Sequence, residues 1–194
     1  MLTKQERNEI IALIRQEVTP AIGCTEPIAV ALAVARVKEL LTVIPEKLDI
    51  WLSANVLKNA MGVGIPGTGM SGLPIAIAMG VLVGRSEYGL EVLRDSTPDI
   101  VEEGKKLVDR GIINIHLKED IVEKLYIEVT ASAGPDTARV IISREHTRFS
   151  LIEKNGIKLL ELEDNETEET VTEQLQLSFD KVCDFAFYTP IDEI

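Results

Sequence analysis

The chain has 194 residues, of which 45% are hydrophobic, and Asp and Glu outnumber Lys and Arg by 32 to 20. This apolar fraction is that of a globular protein with a hydrophobic core, which excludes disorder along the whole chain. The net charge of −12 argues against binding to nucleic acid or to an anionic membrane surface, since either requires clustered positive charge.

The first two predicted elements are helices. Thr3 and Glu6 match a capping box, and apolar residues at helical spacing follow them, which predicts a helix over residues 4–18. Thr25 is suited to an N-cap and predicts a second helix over residues 25–41. Because this second helix is apolar on nearly every face, we expect it to be buried.

A strand and a second buried helix follow. Alternating apolar and polar residues predict a strand over residues 48–53. A glycine-rich segment over residues 62–72 then leads into small apolar residues that predict a helix over residues 73–83. A short helix over residues 86–93 and a longer one capped by Thr97 complete the helical part.

Beyond these helices the pattern changes to a period of two residues, which is typical of strands. The pair Asn155-Gly156 marks a tight hairpin. Helices first and consecutive strands afterwards predict an α+β fold, with buried small-residue helices packed on a mostly antiparallel sheet. The candidate strands are residues 113–117, 125–129, 138–142, 149–153 and 157–160.

Composition divides the chain into three segments. We assign residues 1–160 to one α+β domain. Residues 161–177 are rich in Asp and Glu and predict an exposed acidic linker. Residues 178–194 predict an aromatic-rich terminal helix, which we expect to pack on a further element.

Targeting and redox features indicate a cytoplasmic protein. Residues 3–7 do not resemble a signal peptide, and the longest apolar stretch, residues 73–83, is shorter than the roughly 20 residues that span a bilayer. The two cysteines, Cys24 and Cys183, lie far apart without metal-ligand spacing. We therefore expect a reduced protein without disulfides and without a membrane partner.

Cys24 lies between Gly23 and Thr25 at the predicted start of the second helix. A helix N-terminus offers free backbone N–H groups and a positive dipole end, which we expect to lower the pKa of the thiol. Glu26 is placed to orient the thiol or to take its proton, and the Thr25 hydroxyl to donate to an anion. The alternative is a small buried residue that closes a tight turn. Cys183, on an apolar helix face, is interpreted as structural.

The glycine-rich run from Gly62 to Gly69 is a second candidate anion site. It lacks the Lys-Ser/Thr pair of a Walker A loop and the βαβ context of a dinucleotide fingerprint. Its backbone N–H groups could still hold a carboxylate or phosphate, with Lys58 and Asn59 as the side chains that face the ligand. The alternative is a plain connection between buried elements.

His146 lies in a polar turn between two predicted strands, flanked by Arg144 and Arg148. Such a histidine could serve catalysis, and a solvated turn is an equal alternative. His116 alternates with apolar residues of a strand and is interpreted as structural. The sequence contains neither a zinc-binding His/Glu motif nor a nucleophile elbow.

Three segments together resemble the L-cysteine desulfidase family, which includes the UPF0597 group and is related to bacterial iron–sulfur L-serine dehydratases. They are Gly23–Pro27 with the apolar helix that follows, Lys58–Gly69, and His146-Thr147. The resemblance runs from Thr3 to His146 and covers the N-terminal half of a family member. It implies that the α+β domain faces the substrate and is similar to the β domain of serine dehydratase. It also implies that residues 178–194 lead to a helical domain that this chain lacks.

The resemblance implies a carbon–sulfur lyase that eliminates sulfide from L-cysteine, or water from L-serine, and gives pyruvate and ammonia without pyridoxal phosphate. It implies Cys24 either as a ligand of the metal cluster or as the base that removes the Cα proton. Glu26 and His146 are the other implied catalytic residues. The residues implied to bind the substrate are Thr25, Lys58, Asn59, Gly67 and Thr68.

A 4Fe-4S cluster is implied for the complete protein, held by cysteines of a C-terminal domain or subunit. Those cysteines are not in this sequence, so we expect this chain alone to hold no stable cluster and to be inactive. The expected partners are that iron–sulfur half, a small amino-acid substrate and further copies of the chain in a homo-oligomer. A non-catalytic module that binds amino acids or carboxylates stays the alternative, because only the lyase requires Cys24.

Overall fold

A computed structural model describes residues 2–162 and 177–194. These residues form two units: residues 20–162 make up the larger unit, and residues 2–19 with 177–194 make up a two-helix unit. The predicted acidic linker over residues 161–177 lies almost wholly outside the described residues. The linker and the domain boundaries assigned from the sequence therefore stay predictions.

Helices and strands follow one another largely as the sequence predicts. The helices are α1 (Lys4–Glu17), α2 (Thr25–Leu41), α3 (Ala54–Ala60), α4 (Leu73–Leu82), a 3₁₀ helix (Ser86–Glu91), α5 (Pro98–Asp109), α6 (Phe179–Tyr188) and a terminal 3₁₀ turn (Ile191–Glu193). The strands are β1 (Lys47–Leu52), β2 (Gly64–Ile65), β3 (Met70–Ser71), β4 (Ile113–Leu117), β5 (Tyr126–Ala133), β6 (Asp136–Ser143), β7 (Phe149–Lys154) and β8 (Ile157–Glu161). Within the described parts of the chain, no helix has both the length and the apolar character that crossing a bilayer requires.

Six strands form the main sheet, in the order β4-β1-β5-β6-β7-β8. Every neighbouring pair is antiparallel except β1 and β4, which are parallel. In the register, Ile50 of β1 lies opposite Ile115 of β4 on one side and Val129 of β5 on the other. The predicted α+β fold with a mostly antiparallel sheet is confirmed.

The core of the larger unit is a stack of helices on the sheet. Helix α2 lies on β5 and β6, α4 packs on α2, and α5 packs on α4. Both α2 and α4 are buried along nearly their whole length, as their apolar composition predicts. A Cβ added at Gly80 would lie 2.7 Å from the Ala31 carbonyl oxygen, so the approach of α4 to α2 depends on the absence of a side chain there.

The face of the sheet opposite α2 carries a charge network centred on Glu128 of β5. This carboxylate is 5% exposed and accepts hydrogen bonds, each of 2.8 Å, from Lys118, the Tyr126 hydroxyl and Nε of Arg139. Burial opposes its ionisation, but these bonds outweigh burial and hold the pKa of Glu128 below its ordinary value. The network satisfies a charge that would otherwise be costly to bury.

Two elements of the larger unit differ from the sequence prediction. Helix α3 occupies a stretch where no element is predicted, because seven residues make less than two turns and give no clear helical period. The glycine-rich segment forms a β-hairpin, with Ile65 opposite Met70, instead of leading straight into the next helix. Pro66 to Gly69 form the tip of this hairpin.

The two-helix unit begins at the predicted capping box. The Thr3 hydroxyl oxygen accepts a hydrogen bond from the Glu6 N–H at 3.2 Å, and the Glu6 carboxylate accepts one from the Thr3 N–H at 3.0 Å. Helices α1 and α6 pack through a small apolar core made of Ile10, Ile11 and Phe185. The last predicted helix therefore contacts the first.

Candidate functional site

Two motifs that are separated in the sequence meet in the larger unit. Gly23 has a φ of 99°, and a Cβ added there would lie 2.9 Å from Cδ and Cγ of Pro66. The turn before α2 therefore packs directly on the tip of the β2–β3 hairpin, and both the backbone angle and the close contact require glycine. We refer to residues 23–26, 58–59 and 66–69 as the candidate site.

Glu26 lies at the centre of the candidate site. Its Oε2 accepts hydrogen bonds from the Cys24 thiol and the Thr25 hydroxyl, each at 3.2 Å. Its Oε1 accepts a hydrogen bond from Nδ2 of Asn59 at 3.1 Å. The carboxylate therefore joins the first turn of α2 to α3 and brings four of the predicted site residues together.

Cys24 is the N-cap of α2, one residue before the predicted N-cap at Thr25. Its backbone is extended, with φ −70° and ψ 135°, and its side chain caps no N–H group of the helix. The thiol is exposed and donates its hydrogen bond to Glu26. A small reactant in solution can therefore reach the sulfur.

The negative charge of this cluster resides on Glu26. Burial of Glu26 opposes ionisation, but the hydrogen bond from Cys24, with those from Asn59 and Thr25, outweighs burial and holds the pKa of Glu26 below its ordinary value. For Cys24, burial and the bond to the Glu26 carboxylate raise the pKa of the thiol. The expectation that the helix start lowers the thiol pKa is therefore wrong, because nearby backbone N–H groups lower it by less than these two causes raise it.

Lys58 and Asn59 lie in the last turn of α3. The amide of Asn59 is engaged by Glu26, which makes it a positioning group for that carboxylate. Lys58 is exposed, and its ammonium group makes neither a hydrogen bond nor an ion pair with the described residues. Helix α3 therefore offers a cation that is available to an incoming anion.

The hairpin tip uses its hydroxyl internally. The buried Thr68 donates a hydrogen bond from Oγ1 to the Ile65 carbonyl at 2.7 Å and accepts one from the Met70 N–H at 3.0 Å. Gly67, by contrast, has a φ of 77°, and open space surrounds the point where a Cβ would lie. At the tip, the backbone near Gly67 is therefore more accessible to a ligand than the Thr68 side chain.

His146 lies in the turn between β6 and β7 and is half-buried. This turn contacts the 3₁₀ helix, since a Cβ added at Gly89 would lie 3.8 Å from Cγ2 of Thr147. The next residue of that helix, Leu90, accepts a hydrogen bond at its carbonyl from the Ile22 N–H at 3.1 Å, beside the candidate site. No hydrogen bond joins His146 to the described residues of the candidate site, and its catalytic role stays a prediction.

Arg148 is a residue that the sequence analysis does not assign to the site. Its Nη1 is buried without a hydrogen-bond partner among the described residues. A buried guanidinium nitrogen is costly to leave unpaired, so an acceptor supplied by a ligand would be favourable there. The only signal in the sequence is its place two residues after His146, in the same polar turn.

The described residues do not fit an iron–sulfur cluster. No group of three His, Cys, Asp or Glu side chains within residues 2–162 and 177–194 is arranged to hold a metal ion. A cubane cluster requires several thiolates, and the candidate site supplies Cys24 alone. Cys183 lies on α6 of the two-helix unit. Further cluster ligands would have to come from outside the described residues.

Comparison with curated proteins finds relatives that match along essentially the whole chain. A UPF0597 protein of Bacteroides fragilis is 60% identical over 193 residues, which span all of this chain and 45% of the relative. A UPF0597 protein of Phocaeicola vulgatus is 58% identical over 194 residues, with the same coverage, and one of Aeromonas hydrophila is 40% identical over 98% of the chain and 44% of the relative. The chain therefore spans less than half the length of these relatives. No protein-family model and no solved structure matches the chain.

Proposed function

The chain belongs to the UPF0597 family, and we propose that it forms the N-terminal part of a carbon–sulfur lyase. The proposed reaction eliminates sulfide from L-cysteine, or water from L-serine, and yields pyruvate and ammonia. Because the chain spans less than half of its relatives, the activity is proposed for the complete protein, and these residues alone are expected to be inactive. The observation that carries the proposal is the exposed Cys24 thiol hydrogen-bonded to the ionised Glu26.

β-Elimination requires a base that takes the Cα proton. Loss of that proton, cleavage of the Cβ–S bond and departure of hydrosulfide leave 2-aminoacrylate, whose imine tautomer hydrolyses to pyruvate and ammonia. In the proposal, the Cys24 sulfur takes the Cα proton while its own proton moves to Glu26 along their hydrogen bond. A thiol with a raised pKa gives a stronger base once its proton has left.

The substrate also carries a carboxylate that needs a partner. The exposed ammonium of Lys58 and the open backbone at Gly67 suit this group. Arg148 is a second candidate, because its buried Nη1 lacks an acceptor among the described residues and a guanidinium matches the geometry of a carboxylate. Asn59 and Thr25 are assigned to positioning Glu26.

The family resemblance also implies a 4Fe-4S cluster in the complete protein. The described residues do not fit one, so the proposal assigns to them only proton transfer and substrate binding. Cluster ligation is assigned to the part of the protein that the chain does not cover, which would be its iron–sulfur partner.

A non-catalytic module that binds amino acids is the second candidate function. It is favoured by the hydrogen bonds that Cys24, Thr25 and Asn59 donate to Glu26. These donors satisfy the carboxylate, so the cluster needs no reaction to explain its arrangement. The two functions differ in their need for the Cys24 sulfur. Replacement of Cys24 by serine removes the activity of a lyase, whereas a binding module can still bind its ligand.

The test compares Cys24→Ser with Cys183→Ser in the complete protein, by following release of sulfide and pyruvate from L-cysteine. We expect Cys24→Ser to lower the rate by roughly 100-fold or more, because the proton-transfer group is lost. The matched control, Cys183→Ser, should keep the wild-type rate. Full activity in Cys24→Ser would contradict the lyase mechanism, whereas calorimetric binding of L-cysteine or L-serine without any pyruvate would favour the binding module.

A further inference from the structure

Helix α6 and the terminal 3₁₀ turn expose a set of large apolar side chains. Phe179 is 81% exposed, Phe187 79% and Ile191 89%. Single exposed apolar residues are ordinary, whereas several large ones on one short helix and its extension favour a contact with another part of the protein. The members of this aromatic patch are Phe179, Val182, Phe187, Tyr188 and Ile191.

Within residues 2–19 and 177–194, the two-helix unit buries a small apolar core. Helices of 14 and 10 residues are marginal in water and depend on the packing of an apolar face. The ion pairs Lys181–Glu6, at 2.9 Å, and Arg7–Glu193, at 3.3 Å, remain partly exposed and contribute little. The residues buried between α1 and α6 are Ile10, Ile11 and Phe185.

We propose that the aromatic patch packs against the part of the UPF0597 protein that this chain does not cover. More than half the length of the relatives lies outside the match, which is enough chain for a further domain. That domain would present an apolar face to the patch and would complete the core that α1 and α6 lack. The proposal stands independently of the lyase activity.

Other occupants suit the patch less well. Residues 163–176 of this chain are rich in Asp and Glu and offer Val171 and Leu175 as their large apolar side chains. A second copy of the chain would bring Asp180 and Asp192, which border the patch, towards their own counterparts, at a cost in like-charge repulsion. A partner whose apolar face meets the patch and whose basic rim meets Asp180 and Asp192 is complementary in both hydrophobicity and charge.

The test measures amide hydrogen exchange in the complete protein and in the 194-residue chain. We expect the amides of α6 to exchange slower in the complete protein by about tenfold or more, because packing on the patch suppresses local opening. The amides of β7 and β8 should exchange equally in both proteins and serve as the internal control. Reaction of Cys183, which lies on α6, with a maleimide should slow in parallel.

Variants of the complete protein then locate the contact. Phe179→Ser with Phe187→Ser should return α6 to the exchange rate of the 194-residue chain. The matched control on β8, Ile157→Ser with Leu159→Ser, replaces side chains that are 67% and 57% exposed and should leave α6 protected. If the double variant does not accumulate, Ile191→Ser alone should show the same direction of change.

Two results would overturn the proposal. Equal exchange of α6 in the two proteins would mean that the rest of the protein does not cover the patch. Slow exchange of α6 already in the 194-residue chain would assign the patch to another occupant, which sedimentation would identify as a second copy if the chain is a dimer. A protected monomer would point to residues 163–176 instead.

Discussion

The larger unit and the two-helix unit bury their helices to very different extents. In the larger unit, α2 and α4 bury nearly all their side chains in a core that lies between the sheet and α5. In the two-helix unit, α6 buries Phe185 and leaves Phe179 and Phe187 in solvent. The helices of the larger unit therefore bury their apolar side chains, whereas α6 keeps several of its own exposed.

This difference separates the roles of the two units. The residues around Glu26 are held by α2 and α3, whose buried faces belong to the core of the larger unit. A site supported in this way is positioned before its ligand arrives. The two-helix unit, by contrast, exposes the aromatic patch that we propose as a contact surface. Substitutions in the two units should therefore change different observables.

The largest expected effect is from Gly80→Val in the larger unit. The new side chain would meet the Ala31 backbone at 2.7 Å or less, and backbone cannot give way as a flexible side chain can. We expect the free energy of unfolding to fall by about 3 kcal/mol or more. Urea unfolding followed by the fluorescence of Trp51, the sole tryptophan of the chain, measures the change.

Gly64→Val is the matched control for this substitution. It introduces the same side chain into β2, where no heavy atom beyond Gly64 and its two chain neighbours lies within 4 Å of the new Cβ in the described residues. Its urea midpoint should stay close to that of the wild type. Equal losses in the two variants would show that the α2–α4 contact is not what makes this core complete.

A smaller effect is expected from Glu128→Ala. Lys118 and Arg139 would lose their buried partner but can turn towards solvent, so the loss should be about 2 kcal/mol in the free energy of unfolding. Because the pKa of Glu128 is lower in the folded state than its ordinary value of 4.5, its contribution is present above pH 4.5 and is lost as the pH falls through the lowered value.

The pH dependence of stability tests whether the charge network contributes. Urea midpoints recorded by Trp51 emission should fall more steeply below pH 4.5 in the wild type than in Glu128→Gln, which has no carboxylate to protonate. Parallel curves for the two proteins would show that the charge network contributes nothing to the stability of the larger unit.

Much of the fold could be predicted because its elements carry strong periodic signals. The apolar runs of α2 and α4 indicate burial without any tertiary information, and the alternation in β6 and β7 indicates strands. The parallel pairing of β1 with β4 could not be predicted, because it joins strands about sixty residues apart and no local pattern specifies a partner. Helix α3 could not be predicted either, because seven residues are too few to show a helical period.

The sequence indicates which residues belong to the candidate site, and their functional roles stay predictions, but the hydrogen bonds that join these residues could not be predicted. The positions of Cys24, Thr25 and Glu26 near a helix start follow from local capping signals. That Glu26 and not the sulfur carries the charge depends on hydrogen-bond directions and on Asn59, which lies on an element the sequence did not indicate. The contact of Gly23 with Pro66 is likewise a tertiary fact, and it is the contact that joins the two motifs.

Phe185→Ala should affect the two-helix unit and spare the larger one. Phe185 is the part of the small core that α6 contributes, so its truncation should raise the local opening of α6 and the maleimide reaction rate of Cys183 by roughly tenfold. The urea midpoint from Trp51 should not change. If the urea midpoint from Trp51 falls together with the rise in the Cys183 reaction rate, the two units unfold as one, and the comparison between them fails.

The smallest expected effect is a change in the thiol chemistry of Cys24 on Glu26→Gln. The carboxylate raises the pKa of the Cys24 thiol by accepting its hydrogen bond and by its charge, and the neutral amide removes the charge, so the pKa should fall. The rate of alkylation by iodoacetamide as a function of pH, in a Cys183→Ser background, gives the midpoint directly. Glu102→Gln, on the exposed side of α5, is the control and should leave the midpoint unchanged. A midpoint that stays or rises in Glu26→Gln would remove Glu26 from the centre of the site, and with it the proton path that distinguishes a lyase from a binding module.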